Sequence, residues 1–533
     1  MSASSALAAA GSRPAVLIAR LRRPPLWLWL AAALAVVTLL PYAYAHLYQP
    51  PGRTFMGFFF LGDDANTYLA KMRQGWEGGW LWHNRYTTEP SPPVYFFLYW
   101  IALGHLAWLL HLSLLGTFHL ARVIGAFLLL WAGWLFVQRF VEGAAARTFA
   151  ISFMAVGLGL GFILWSLHTP VIFGARTDAL DWRMPELTAF YSILALPHFV
   201  WAAAFQAIAA VLTLRAADRG SLRTGLLAGL AWLGEASIHP QMPILVGAAC
   251  WAAILLRPVS RRGYAAAVIA LALPAPYVAY SYFAYLGNPE VARWSAQWRN
   301  NFAPDLVSLV LALAPQLLLA AFWLPRMLRR RSRDDLFLLA WLVFLAAILW
   351  LPNPAANLRR RFFDGIYMPL VVMAANGLYG VVLPRLRTAG PRRLLAFAYV
   401  AFSAAPSVFL VIAPMLIAAN PEYSVSTPEY HALLWLSGRP AGVVVASPRL
   451  GLLVPAYTAD TSYVGQYSET YNYLPKGRQV LELLNGDGDL GVFAQEQHAR
   501  YVVWSSGDTS RPPPASLGTP AFSEGGVEVF QLY

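Results

Sequence analysis

The sequence predicts a polytopic α-helical membrane protein of about eleven to thirteen spans, with a small C-terminal extracytoplasmic α/β domain. Three observations predict it. The 533 residues are 58% hydrophobic and only 12% charged, with a mean hydropathy of +0.51. Apolar runs of about 17–25 residues recur along residues 1–418, the length a helix needs to cross a bilayer. After residue 419 the pattern changes to short strands alternating with short helices. Lipid offers the backbone no hydrogen bonds, so spanning segments default to helices, and the strand alternation of an outer-membrane barrel is absent from residues 1–418.

The net charge is +13, and every Lys/Arg residue except Lys71 and Lys476 is arginine. The arginines fall in short clusters between apolar runs, at 20–23, 139–147, 215–223, 257–262, 326–333 and 385–393. That is the positive-inside pattern and not the one-sided basic face of a nucleic-acid binder. The single cysteine, Cys250, lies in an apolar run, which excludes a disulfide framework and a cysteine metal site.

Expected spans lie near 26–47, 118–138, 149–167, 190–214, 223–238, 241–256, 264–285, 304–325, 336–352, 366–384 and 394–418. The first follows a basic segment and is longer than the apolar core of a signal peptide, so it is expected to stay uncleaved although "AYA" at 43–45 resembles a cleavage site. With the arginine clusters cytoplasmic, segments 48–117, 168–189, 286–303 and 353–365 and everything after 419 share the outer side. The stretch 94–112, "VYFFLYWIALGHLAWLLHL", is apolar enough to span, but counting it reverses the later clusters, so it reads as an interfacial or re-entrant helix unless 187–214 hides a second crossing. In the C-terminal part, "TPEYHALLWLSG" and "RQVLELLNG" read as helices, and "GVVVAS", "ARYVVWSS" and "GVEVFQLY" as strands. "PRLGLLVPAYT" reads as a helix capped by Ser447. No GxGxxG or phosphate-binding loop accompanies them. This gives a multispan domain over 1–418, with a large first outer loop at 48–117, and a soluble domain over 419–533.

The first outer loop carries the most unusual chemistry. Asp63 and Asp64 open the helical pattern "ANTYLAKMRQGW". A helix cap accounts for one aspartate, not for an adjacent pair. Lys71 and Arg73 follow and suit an anionic ligand. Beside a membrane, a carboxylate can take the proton of a sugar hydroxyl while cations stabilise a phosphate leaving group. It can equally hold a divalent cation through oxygen, and the sequence leaves general base and metal ligand open.

The acidic pair, the aromatic approach to the next helix, the many spans and the C-terminal α/β domain resemble the polyprenol-dependent glycosyltransferases of the GT-C superfamily. The chain is more closely similar to a bacterial branch of such multispan proteins. The stretches that carry the likeness are "DDANTYLAKMRQG", "NRYTTEPSPPVYFFLYWIALGHL", "FHLARVIG", "LPHFVWAAAF", "NLRRRFFDGIYMPL" and "YVGQYSETYNY". The resemblance implies a multi-pass protein of the cytoplasmic membrane. It would move a sugar from a polyprenyl-phosphate or polyprenyl-diphosphate donor to a glycan, lipid or protein acceptor outside. Asp64 is then the expected catalytic base, or a ligand for Mg²⁺ or Mn²⁺, with Asp63 in support. Arg360 and Arg361, in "NLRRRFFDG", are expected to clamp the donor phosphate with Lys71 and Arg73, and Asp364 to orient them. Tyr68, Glu89, Glu186, His198, His239 and Tyr467 are expected in the substrate cavity. Glu235, near His239, is an ionisable group at membrane depth. Trp76, Trp80 and Trp82 suit either sugar stacking or an interfacial aromatic belt. The alternatives are a transporter or lipid flippase, against which the absence of an internal repeat speaks, and a non-catalytic scaffold of envelope glycan assembly. No GxSxG, HExxH or cysteine nucleophile points to a hydrolase.

Overall fold

Residues 24–172, 174–296, 303–352 and 356–533 are described by a computed structural model. The arginine cluster at 20–23 lies outside these residues. Every one of the eleven expected segments is helical, and the chain is a multi-pass membrane protein. Among the described residues seven helices are long and apolar enough to cross a bilayer, or eight if Leu306–Ala312 and Ala314–Arg330, bent by 84°, form one broken span. The expected eleven to thirteen is therefore too high by this measure. Leu222–Ala236 and Met242–Leu256 have 15 residues each, about 22 Å of helix against a hydrocarbon core of about 30 Å. Arg333–Trp350 is long enough but begins with three charged residues, Arg333, Asp334 and Asp335.

The stretch 94–112 does not cross. It folds into the 12-residue helix Leu98–Leu109, about 18 Å long, and lies against the helix Gly62–Trp76 that carries the aspartate pair. A glycine on each helix permits the contact: a Cβ on Gly104 would stand 1.8 Å from the Met72 carbonyl oxygen, and one on Gly75 2.0 Å from that of Ile101.

The arginine-rich loops meet at one end of the bundle. The Arg139 guanidinium bridges Asp218 at 2.9 Å and Asp334 at 2.6 Å, Arg333 pairs with Asp218, and Arg257 donates to the Arg331 carbonyl at 2.8 Å. Helices leaving this end start on serine caps: the Ser221, Ser260 and Ser332 hydroxyls accept from the N–H groups of Thr224, Gly263 and Asp335.

At the other end the first loop and the C-terminal region interlock. Strand Arg53–Phe55 pairs antiparallel with Ser424–Ser426, and a Ser426–Glu429 capping box starts the helix Thr427–Ser437. A five-stranded sheet follows in the order Thr461–Ser462, Val443–Val445, Ala499–Ser505, Val527–Gln531, Phe522–Glu524. Its first three strands are parallel and its last two antiparallel. The expected strands and the helix Tyr473–Leu484 are present; "PRLGLLVPAYT" splits into Pro448–Gly451 and Val454–Tyr457, with Ser447 capping the first. Alternation of apolar residues at 443–445 and 499–505 buries both sheet faces, one against Leu433 and Leu436 and the other against Val480 and Leu484.

Candidate active site

A cavity of about 840 Å³ opens where the first loop, the 178–191 loop, the 237–241 turn, the 358–361 segment and residues 467–469 converge. Two entering helices begin on bulky residues in the left-handed region, Leu61 at φ 50° and Phe97 at φ 56°, and both residues line the cavity. Such backbone costs about 1 kcal/mol or more and clusters at functional sites.

Asp64 stands half-buried in the wall, in the first turn of Gly62–Trp76. Neither aspartate caps that helix: the cap position is Leu61, and no side chain bonds its free N–H groups. Burial pushes the Asp64 carboxyl above the usual carboxylate range, while Arg361, Arg360 and Lys71 pull it back and Glu186 raises it. Asp63 is exposed and does not line the cavity. Reduced solvation and the negative charges of Asp64 and Glu422 raise its carboxyl too.

Arg360 and Arg361 both line the cavity. Between them and the protein interior lies Glu186, fully buried in the turn Pro185–Leu187. Its Oε1 is 3.6 Å from Arg360 Nε and 3.8 Å from Arg361 Nη1, and neither carboxylate oxygen is hydrogen-bonded. Glu186 thus balances charge without occupying the guanidinium forks. Arg360 is steadied by donation to the Arg183 carbonyl at 3.2 Å.

Lys71 is only 3% exposed and pairs with Glu469 at 2.7 Å, with Phe97 under its ammonium at 4.3 Å. Its charge is answered within the protein, which corrects the expectation of a simple phosphate ligand. Tyr68 stacks on Trp100 with centroids 4.3 Å apart, and its hydroxyl is 3.5 Å from His198 Nε2. Tyr467 lines the mouth beside Glu469.

Three expectations place residues elsewhere. Arg73 turns away and donates to the Ala456 carbonyl at 3.0 Å. Glu89 pairs with Lys476 at 2.8 Å and accepts from Thr87. Asp364 does not orient the arginines; its Oδ2 lies 2.9 Å from His239 Nδ1. None of these three lines the cavity. Of the tryptophans, Trp82 is buried and Trp76 and Trp80 are exposed, all outside the cavity lining. Glu469, Arg183 and Asp178 line it and were not singled out. Glu469 sits in the tyrosine-rich "YVGQYSETYNY", and Arg183 and Asp178 in a loop already expected to be outer.

The charges acting most strongly on Asp64 are cationic, and among the described residues it belongs to no converging set of three metal-ligating side chains. Among the described residues, the side chains at Asp64 would therefore hold a divalent cation only together with substrate oxygens.

No family model matches the chain, and no curated protein does. Solved structures do. The Archaeoglobus fulgidus oligosaccharyltransferase tethered with an acceptor peptide containing the NVT sequon aligns over 90% of this chain and 69% of its own, at TM-score 0.56 and 14% identity. The same organism's oligosaccharyltransferase AglB, in complex with an inhibitory peptide and a dolichol-phosphate, gives TM-score 0.54 at 14% identity over 90% and 69% of the two chains. Arabinofuranosyltransferase AftD from Mycobacteria gives 0.51 at 15% identity over 95% of this chain and 40% of that one. Seen with the helical bundle and the small C-terminal sheet, these likenesses show that the chain has the GT-C fold.

Proposed function

We propose that the protein is an integral-membrane glycosyltransferase that takes a sugar from a polyprenyl-phosphate or polyprenyl-diphosphate carrier and transfers it to an acceptor on the outer side of the cytoplasmic membrane. The observation that carries this reading is the meeting of Asp64, Arg360 and Arg361 in one cavity, with both guanidiniums balanced by Glu186 yet not hydrogen-bonded to it. A phosphate entering the cavity meets two forks able to bind it bidentately. The cavity wall includes the apolar Ile244 and Tyr282, from the helices Met242–Leu256 and Ala275–Gly287, and both are also exposed on the surface of the bundle. A prenyl chain can lie there while its phosphate reaches the arginines. The dolichol-phosphate in the AglB complex and the acceptor peptide in the tethered oligosaccharyltransferase suit this class of donor and a polymeric acceptor.

In the reaction, Asp64 accepts the proton of the acceptor nucleophile as its oxygen or nitrogen forms the new bond to the anomeric carbon. The bond from that carbon to the phosphate oxygen breaks, and its electron pair stays on the lipid phosphate. Arg360 and Arg361 stabilise the charge that develops there. A raised Asp64 carboxyl is a better base than an ordinary carboxylate, and the arginines oppose the effect of burial on it. Asp63 lies outside the cavity, and the Asp64 charge beside it raises its own carboxyl.

Sugar transfer from radiolabelled polyprenyl-phosphate sugars, measured in membranes carrying the protein, tests the reading. Arg361→Ala is expected to raise the donor KM at least tenfold and lower kcat as well, because the lost contact serves both bound donor and leaving phosphate. Unchanged donor kinetics in Arg361→Ala and Arg360→Ala would remove the clamp from the account.

A further inference from the structure

Behind the cavity lies a second group of ionisable side chains that the transfer chemistry does not use. Glu235 ends the helix Leu222–Ala236, His239 sits in the following turn, and Asp364 follows the arginine segment Ala356–Phe363. All three are buried, at 0%, 7% and 0% exposure. Each offers one ligand atom, and these atoms lie within 4.8 Å of one another. His239 Nδ1 and Asp364 Oδ2 are hydrogen-bonded at 2.9 Å, close enough for both to turn toward one ion.

A second observation points into the same space. Both carboxylate oxygens of Glu235 are buried without a hydrogen-bond partner, and so is Asp364 Oδ1. The Tyr367 hydroxyl and Gln206 Oε1 are likewise buried and unpartnered. Gln206 belongs to this cluster, since its Nε2 donates to the Asp364 carbonyl at 3.2 Å. No lysine or arginine forms an ion pair with Glu235 or Asp364 among the described residues. Burying two carboxylates without a cation costs several kcal/mol each, and native structures rarely leave so many polar atoms orphaned in one place.

We propose that Glu235, His239 and Asp364 form a binding site for a divalent first-row transition metal ion. Two carboxylates and one neutral imidazole give a net charge of zero around a divalent cation, which is what a buried site at membrane depth requires. The imidazole favours Zn²⁺ over Mg²⁺ and Ca²⁺, which prefer all-oxygen shells, and Mn²⁺ serves as a paramagnetic probe of the same site. The ion ties the 237–241 turn to the chain three residues beyond Arg361. His239 also lines the cavity and its ring lies 5.4 Å from that of His198. The metal thus holds the arginine segment in place from behind and does not touch the substrate. Ion binding there is independent of whether the cavity transfers sugar.

The test is metal content and metal affinity of the detergent-purified chain. After dialysis against Zn²⁺ or Mn²⁺ and removal of free ion, the wild type is expected to retain about one ion per chain. Glu235→Gln and Asp364→Asn are expected to bind at least tenfold more weakly, and Asp64→Asn as the wild type does. In case the buried variants fail to fold, pulsed electron paramagnetic resonance of the Mn²⁺-loaded wild type gives a second reading: a ¹⁴N coupling from a directly bound imidazole is expected. No retained ion, retention unchanged in both Glu235→Gln and Asp364→Asn, loss of the ion in Asp64→Asn, or Mn²⁺ without ¹⁴N coupling would each overturn the proposal.

Discussion

Glu469→Gln removes the only carboxylate paired with the Lys71 ammonium among the described residues. The two groups are 2.7 Å apart with side chains 4% and 7% exposed, so only water entering through the cavity can replace the lost partner. What remains is Thr67 Oγ1 at 3.4 Å and the faces of Phe97 and Tyr68 at 4.3 and 5.2 Å. Breaking a buried pair by removing one partner costs about 3–5 kcal/mol. The aromatic faces touch the ammonium in wild type and variant alike, so they do not offset this loss. Because the pair joins the first loop to residue 469, the loss falls on the contact between the bundle end and the C-terminal region. Thermal melting of purified protein, followed by tryptophan fluorescence, reads it. Glu469→Gln is expected to melt well below the wild type, and the double variant Lys71→Met/Glu469→Gln to recover most of the difference, since two neutral side chains leave no buried charge. A double variant as unstable as the single one, or a single variant that melts with the wild type, would refute the charge-pair reasoning.

Asp181 gives a pH dependence. It is fully buried, accepts from the Gly159 N–H at 2.9 Å, and burial pushes its carboxyl up to about 7 from 3.8. The folded chain holds a proton that the unfolded chain releases between these values, so stability falls as pH rises from about 4 to about 7, by up to about 4 kcal/mol. Asp181→Asn is expected to flatten melting temperature against pH across that window; an unchanged slope would assign it to other groups. Gly104→Ala places a methyl 1.8 Å from the Met72 carbonyl and must separate two helices, so it is expected to cost about 1–3 kcal/mol and to reduce transfer by displacing Asp64, readable as lower melting and lower kcat together.

The eleven helical segments were legible because apolar run length and arginine punctuation are local signals. Span number was less so. Whether a 15-residue helix such as Met242–Leu256 counts as a crossing depends on the bundle around it, not on its own composition. The ambiguous 94–112 resolves through Gly75 and Gly104, whose close approach is a tertiary fact that either sequence segment alone conceals. In the site, Asp64, Glu186, Arg360, Arg361, His198 and His239 were legible as ionisable groups near one membrane face, and they share the cavity. Glu469 was missed because its partner is 398 residues away. Arg73 was read with Lys71, although two residues on a helix turn a side chain by about 200°, onto the opposite face. Asp364 was assigned to its sequence neighbours Arg360 and Arg361, whereas the fold delivers it to His239.

The measurement that tests the central claim most directly is sugar transfer from a polyprenyl-phosphate donor by wild type, Asp64→Asn and Asp63→Asn, each at matched levels of folded protein. Removing a general base costs about 10²–10⁴-fold, so Asp64→Asn is expected to lose at least a hundredfold in kcat with donor binding kept, and Asp63→Asn to lose much less because its side chain lies outside the cavity. Transfer by Asp64→Asn at the wild-type rate would contradict the account.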